Sequence, residues 1–327
     1  MKPKLKDNII LEVKNLSVTF QTEAGRIRAV DNVSFQVRKG RTLGIVGESG
    51  CGKSATALSI IRLLPKPAGI LEQGNIWFMN KDIAKTSKEH MHKIRGKHIA
   101  MIFQEPMTAL NPVHKIGRQI MEVFELHFKN MSKSNMKKES LNLLKKVGIP
   151  DPDQRLKEYP HQISGGMRQR VMIAIALAGK PDILIADEPT TALDVTIQAQ
   201  ILNLIKKLQE ERGMAVIFIT HDLGVIAQVC DDVVVMYAGK TAEKASVRDI
   251  FNNPWHPYTK GLLSSIVRVQ RPRKTMLNII RGRVPGPGEF PDGCRFENRC
   301  PYAMPVCAIE EPPVRTLRKD HYVSCWL

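Results

Sequence analysis

Gly47-Glu48-Ser49-Gly50-Cys51-Gly52-Lys53-Ser54 is the stretch of this chain with the clearest chemistry. The pattern G-x-x-x-x-G-K-[ST] makes a loop whose backbone N–H groups curl around phosphate oxygens, because glycines leave no Cβ in the way. Lys53 supplies a mobile positive charge for the β- and γ-phosphates, and the Ser54 hydroxyl is a magnesium ligand. Cys51 reads as a small loop residue, not a nucleophile. A second station is Ile183-Leu184-Ile185-Ala186-Asp187-Glu188, an apolar run ending in two carboxylates. Asp187, at the end of a buried strand, can hold magnesium through water. Glu188, one residue on, can orient and polarise an attacking water. Together these residues point to hydrolysis of a nucleoside triphosphate.

The elements that position them follow from the apolar pattern. Ile9 to Phe20 and Arg28 to Val37 alternate as half-buried strands do, with a hairpin loop at Glu23-Ala24-Gly25. Thr42 to Val46 predicts a short strand that feeds the phosphate loop. A helix is expected from Lys53 to about Leu64, stopped by Pro65 and Pro67. Further strands are predicted at Ile99 to Phe103, Ile183 to Ala186, Ala215 to Thr220 and Val233 to Tyr237, with a helix over Val195 to Arg212. Such alternation implies an α/β fold with a mainly parallel sheet covered on both faces, and the opening hairpin as an antiparallel β annex. Residues 111–180 break the rhythm: Ile116 to Phe128 and Met136 to Val147 read as helices of an inserted helical subdomain. From residue 253 prolines become frequent, which predicts a loop-rich C-terminal extension over 253–327 after a main domain of 1–252.

Composition narrows the setting. The chain has 327 residues and a formal net charge of +17. A basic surface suits nucleic acid or the anionic face of a membrane. The longest apolar run, Val171 to Ala178, is far short of the ~20 residues a membrane span needs. The basic start, Met1 to Lys6, leads into no apolar core, so no secretory signal is expected and the chain is placed in the cytosol. Of six cysteines, Cys294, Cys300, Cys307 and Cys325 crowd together as C-x5-C-x6-C-x17-C. In a cytosolic chain this suggests metal or iron–sulfur ligation instead of disulfides.

Ile163-Ser164-Gly165-Gly166-Met167-Arg168-Gln169-Arg170 resembles the signature of the ATP-binding cassette (ABC) ATPases, with Ile163 where the family usually has Leu. It stands upstream of the Asp187-Glu188 strand, in the family's order. The resemblance implies a P-loop NTPase core of the ABC ATPase type, which hydrolyses ATP with Mg2+. It implies that Ser164, Gly165, Gly166 and Gln169 belong to the ATP site of the opposite cassette. The chemistry suits this, since Ser164 offers a hydroxyl and a helix from Met167 to Ala178 points its N-terminus at the anion. Gln104 resembles the Q-loop glutamine that senses magnesium, Ala192-Leu193-Asp194 the D-loop, and His221 the switch histidine. Phe20 is the candidate for stacking on adenine.

The C-terminal part resembles the oligopeptide and dipeptide importer branch. Asn253-Pro254-Trp255-His256-Pro257-Tyr258-Thr259, Val284-Pro285-Gly286-Pro287, Gly293-Cys294-Arg295-Phe296, Arg299-Cys300-Pro301 and the run Phe103 to Pro112 carry it. The branch implies peptide import across the cytoplasmic membrane, with nickel or another small solute as the alternative. It implies a peripheral position on the cytoplasmic face of the inner membrane and two transmembrane permease subunits. A second ABC ATPase subunit, favouring a heterodimer, and an extracytoplasmic solute-binding protein complete the set. It also implies a four-iron four-sulfur (4Fe-4S) cluster on the four cysteines, with zinc as the alternative. Nucleic-acid-associated ABC ATPases fit poorly: the translation factors carry two cassettes, and the repair enzymes insert long coiled coils that are missing here. No nucleic acid is therefore expected as a partner. A metal sensor without catalysis would leave the hydrolytic residues without a purpose.

Overall fold

The computed structural model describes residues 8–23, 25–105, 109–190, 194–266, 279–286 and 288–327. The chain divides into two compact units, residues 1–85 with 218–327, and residues 86–217.

The first unit opens with β1 (Ile9–Thr22) and β2 (Gly25–Arg38), paired antiparallel. The strands are longer than the alternation predicts, because pairing continues to the hairpin at Thr22↔Gly25. Strand β3 (Thr42–Val46) is buried throughout and runs into the phosphate loop and helix α1 (Lys53–Ile60). That helix stops one turn before the expected Leu64: the chain turns at Arg62, which takes a left-handed φ of 53°. Two strands not expected from sequence follow, β4 (Gly69–Phe78) and β5 (Lys81–Asp82). They complete an antiparallel sheet in the order β2-β1-β4-β5. In β4 a glycine at each of positions 69 and 74 and the polar run Glu72-Gln73 mask the alternation.

The second unit carries helix α2 (Lys88–Ile94), strand β6 (Ile99–Ile102), and helices α3 (Ile116–His127), α4 (Lys133–Lys146), α5 (Pro152–Arg155) and α6 (Gly165–Ala178). Strand β7 (Ile183–Asp187) and helix α7 (Val195–Arg212) follow. Helices α3, α4 and α6 pack on one another, with Ile120, Phe124, Leu144, Val147 and Val171 buried. Strands β6 and β7 pair in parallel, Ile99 opposite Ile183 through Ile102 opposite Ala186. Nearly every residue of both is buried, as in a parallel strand covered on two faces.

The chain returns to the first unit within β8 (Ala215–Thr220). Helix α8 (Leu223–Val229), β9 (Asp232–Tyr237), β10 (Lys240–Ser246), α9 (Val247–Asn252) and α10 (Pro257–Ser264) come next. After α11 (Pro305–Ile309), strands β11 (Val314–Arg318) and β12 (His321–Ser324) form a hairpin. In this unit the strand order is β11-β12-β10-β9-β3, parallel between β3 and β9 and antiparallel elsewhere. The C-terminal extension is therefore loop-rich but not detached, because its last hairpin lengthens the sheet that ends at the phosphate loop.

Candidate functional site

The phosphate loop is shaped by contacts that exclude side chains. A Cβ on Gly47 would lie 2.2 Å from the carbonyl oxygen of Met236, and one on Gly52 would lie 2.4 Å from that of Ala29. Gly52 also adopts φ 97°, a left-handed conformation that favours glycine. No side chain caps the first turn of α1, which leaves that helix start without a side-chain partner for its N–H groups. Lys53 is buried, and its Nζ donates to the carbonyls of Gly47 (2.8 Å) and Glu48 (3.0 Å). Ser49, Gly50 and Ser54 line the same loop with part of their surface open, while Cys51 is fully buried. Burial pushes the Cys51 thiol up, against the pull of Lys53, and keeps it in the thiol form expected of a packing residue.

Two other candidates lie in the same unit. Phe20 is half-buried in β1, opposite Ile27 on one side and Gly69 on the other. His221 directly follows β8 and is exposed. Its neighbour Asp222 caps α8, accepting from the N–H groups of Gly224 and Val225.

In the second unit the register of β6 and β7 brings Gln104 and Glu188 together just past the strand ends. Gln104 Nε2 donates to Glu188 Oε2 at 3.2 Å. Glu188 takes φ 45°, an uncommon conformation for a non-glycine residue and one concentrated at functional sites. Asp187, the last residue of β7, is 3% exposed. Gln169 is buried in α6 and donates to the carbonyl of Pro189, tying the signature helix to the turn after Glu188.

Ser164 is the N-cap of α6, its hydroxyl accepting from Met167 N at 3.3 Å. Ser164 and Gly165 are exposed, and a Cβ built on Gly165 would meet nothing within 4 Å. Asp194 caps α7 in the same manner, accepting from Ile197 N at 2.9 Å. Of the expected D-loop stretch, Ala192 and Leu193 lie outside the described residues, as do Met1 to Lys6, Pro106 to Thr108 and Pro287.

The four C-terminal thiols neighbour one another. Burial raises Cys294 to about 11, and the proximity of Cys307, Cys325 and Cys300 adds to it. Cys300 is raised by burial and by Cys325 and Cys307. Cys294 N donates to Cys307 O at 2.7 Å. Among the described residues, however, no group of three or more His, Cys, Asp or Glu side chains is arranged to hold a metal ion. The tetrathiolate site that the resemblance implies is therefore not shown.

Sequence reasoning missed the residues that brace the site from the C-terminal side. Tyr258 is fully buried, and its hydroxyl accepts from Glu48 N at 3.0 Å. His256 is buried with it, its Nδ1 accepting from Tyr258 N. Glu243, wholly buried in β10, accepts from the N–H groups of Trp255 and His256 and bonds His321 Nε2. In sequence the Asn253–Thr259 stretch is marked by its resemblance; its physical signal is a His and a Tyr flanking a proline that starts a helix.

The comparisons with known proteins agree with this architecture. The family description "ABC transporter" matches residues 30–191, and "Oligopeptide/dipeptide transporter, C-terminal region" matches residues 242–307. The dipeptide transport ATP-binding protein DppD of Bacillus subtilis is 55% identical over 319 residues, spanning 97% of this chain and 94% of its own. The oligopeptide transport ATP-binding protein OppD of the same organism is 50% identical, spanning 97% and 88%. Among solved structures, the dimeric post-hydrolysis state of the ATP-binding cassette MJ0796 bound to ADP and Pi superposes with a TM-score of 0.66. It is 29% identical and covers 73% of this chain and 99% of its own. CbiO1 from Clostridium perfringens, part of the transporter complex CbiONQ, superposes at 0.63 with 27% identity, covering 76% and 92%. The chain belongs to the ATP-binding subunits of the ABC transporters and has the fold of their P-loop ATPases.

Proposed function

We propose that the chain is the ATP-hydrolysing subunit that powers import of di- or oligopeptides. The observation that carries the hydrolytic part is the Gln104–Glu188 contact beside the buried Asp187, in a chain that also holds a formed phosphate loop. In this reading Gly47 to Ser54 grip the triphosphate and Phe20 stacks on the base. Glu188 orients the attacking water, and His221 contacts the γ-phosphate. Mg2+ would neutralise developing charge on the phosphates, held by Ser54, Asp187 and Gln104. Such a site uses one or two carboxylates, with phosphate and water completing the shell, and so needs no cluster of acidic groups.

The exposed turn at Ser164 and Gly165 is left for a second cassette. Its N–H groups and hydroxyl suit the γ-phosphate on the partner's loop. Val195, beside Asp194, is 83% exposed, an apolar side chain that a partner cassette would cover. Closure excludes water and completes the charge-stabilising shell; hydrolysis removes the γ-phosphate contacts that bridge the halves. No helix among the described residues is long and apolar enough to cross a membrane. The path for the solute therefore falls to two permease subunits. This chain, with a second and non-identical ATPase subunit, would sit on their cytoplasmic face. A solute-binding protein delivers the peptide from outside.

Peptide as the solute is supported by the 242–307 match and by the relatives named for dipeptide and oligopeptide transport. The test is uptake of a labelled dipeptide into vesicles holding the reconstituted transporter. ATP-dependent uptake, lost with Glu188→Gln, is expected. ATP-dependent uptake of nickel in place of peptide would overturn the substrate assignment.

The crowding of Cys294, Cys300, Cys307 and Cys325 in the sequence supports one further element of this reading, a 4Fe-4S cluster that pins the extension. Anaerobically purified protein should be brown, absorb near ~400 nm and contain iron. Zinc without iron would replace the cluster by a structural zinc site.

A further inference from the structure

The second residue of the phosphate loop is held by the far end of the chain. Arg299 Nη1 donates to Glu48 Oε2 at 2.6 Å and Nη2 to Glu48 Oε1 at 3.1 Å, a two-pronged pair. Nε donates to the carbonyl of Arg281 at 3.0 Å, Nη1 also to Tyr237 Oη at 3.3 Å, and Nη2 also to the carbonyl of Ile280 at 3.3 Å. All five N–H groups of the guanidinium thus have an acceptor, an arrangement that a lysine cannot reproduce. The side chain is 4% exposed, and the guanidinium lies 5.7 Å from the ring centre of Tyr237 and 6.0 Å from that of Phe296.

The backbone of Glu48 is held as well. Its N–H donates to the buried Tyr258 hydroxyl, and its carbonyl accepts from Lys53 Nζ. One loop residue therefore links three groups: a C-terminal arginine at its carboxylate, a tyrosine of α10 at its amide, and the phosphate-binding lysine at its carbonyl. A carboxylate in a loop that receives a triphosphate repels the ligand unless its charge is cancelled. Arg299 is buried while the Glu48 side chain is 29% exposed; desolvating the guanidinium offsets much of what the pair contributes, so stability alone does not account for placing it here.

We propose that Arg299 is a positioning residue for nucleotide binding: it cancels the charge of Glu48 and, with Tyr258, fixes the Gly47–Glu48 carbonyls that hold Lys53. The C-terminal region is then a working part of the ATP site. This rests on the reading of Gly47–Ser54 as the nucleotide loop, and Lys53→Ala tests that reading separately. If wild type binds Mg-ATP and Lys53→Ala does not, the loop reading stands whatever Arg299 does.

The experiment is calorimetric titration of the full-length chain with Mg-ATP at fixed ionic strength, with melting curves to confirm folding. Arg299→Ala should weaken binding about tenfold, since an unpaired Glu48 then faces the phosphates. Adding Glu48→Gln to Arg299→Ala should recover most of that loss, because no charge is left to cancel. Arg299→Lys, which keeps the charge but not the fork, should fall between. Should Arg299→Ala not fold, Arg299→Gln, which carries no charge, with and without Glu48→Gln gives the same comparison. Binding within twofold of wild type in the uncharged Arg299 variant would overturn the proposal. So would a double variant as weak as its arginine parent, which would mean that Arg299 serves only the folding of the tail.

Discussion

The phosphate loop and the signature turn both stand at the starts of helices, yet they are finished to different degrees. At the loop several residues are braced from within the chain. A side chain on Gly47 would strike Met236 and one on Gly52 would strike Ala29, Lys53 rests on two carbonyls, and Glu48 is bound by Tyr258 and Arg299. At the signature turn Ser164 only caps its own helix, and Gly165 faces open space. The difference teaches how the proposed division of work would be built: a braced loop suits holding a ligand by itself, and an open turn suits meeting one held by a second cassette.

The strongest way to sharpen that contrast is to stop hydrolysis while leaving both binding ends intact. Glu188→Gln keeps the hydrogen bond from Gln104, because the Oε of the amide still accepts, but removes the charge that polarises water. Turnover should fall about 100- to 1,000-fold while ATP binding persists and holds the ATPase dimer together. Steady-state ATPase assays and gel filtration with ATP check both. Normal turnover by this variant would refute the role assigned to Glu188.

A matched pair of glycine substitutions separates the two ends. Gly47→Ala forces a methyl to within 2.2 Å of a backbone oxygen, so the loop must shift and the single chain should lose ATP affinity by a factor of ten or more (~1.4 kcal/mol at least). Gly165→Ala meets nothing, so the melting temperature and single-chain ATP affinity should stay at wild-type values while turnover in the assembled ATPase drops. If Gly165→Ala weakened ATP binding to the isolated chain, the division between the ends would be wrong.

Acid should attack the loop side first. Burial lowers the pKa of His256 to about 4, and the imidazole accepts from Tyr258 N in its neutral form. Below pH 6.5 the unfolded chain takes up a proton that the folded chain refuses, so stability falls as pH falls. The loss begins near pH 6.5 and is complete below about 4, reaching ~3 kcal/mol. Hydrogen exchange of α10 amides between pH 7 and 5 should reveal opening there before α6 opens; the reverse order would contradict this account.

The legibility of the molecule follows the range of its interactions. The phosphate loop, the Asp187-Glu188 strand and the signature could be read because each is one contiguous run whose chemistry is local. So could β3, β7 and β8, whose continuous apolar stretches have a single meaning between a turn and a glycine. Strand β4 was not legible because its glycines and polar run hide the period, and β10 and β11 were not because the polar residues of KTAEKAS and VRTLR leave no clear apolar alternation. The bracing of Glu48 was invisible for another reason: residues 210 and 251 positions away supply it, and no spacing rule links them. The crowding of four cysteines was plain in sequence, but whether they converge depends on the path of loops that carry no periodicity.

The smallest expected effect lies at the open end. Asp194 accepts from Ile197 N at 2.9 Å and so satisfies one of the first N–H groups of α7. Asp194→Ala should cost about 1 kcal/mol of stability, and Asp194→Asn, which still accepts that bond, much less. If capping were all that Asp194 did, turnover in the assembled ATPase would follow the same order and recover fully with Asn. The residue is exposed and stands beside Val195, the apolar side chain left for a partner, so the second cassette should also feel the charge. Turnover with Asn should then remain below wild type even though the melting temperature is restored. Measuring both quantities on the two variants separates a cap that serves its own helix from one that also serves the interface. Full recovery of turnover by Asn would confine Asp194 to its own chain and leave the exposed turn at Ser164 to carry the proposed contact across the dimer.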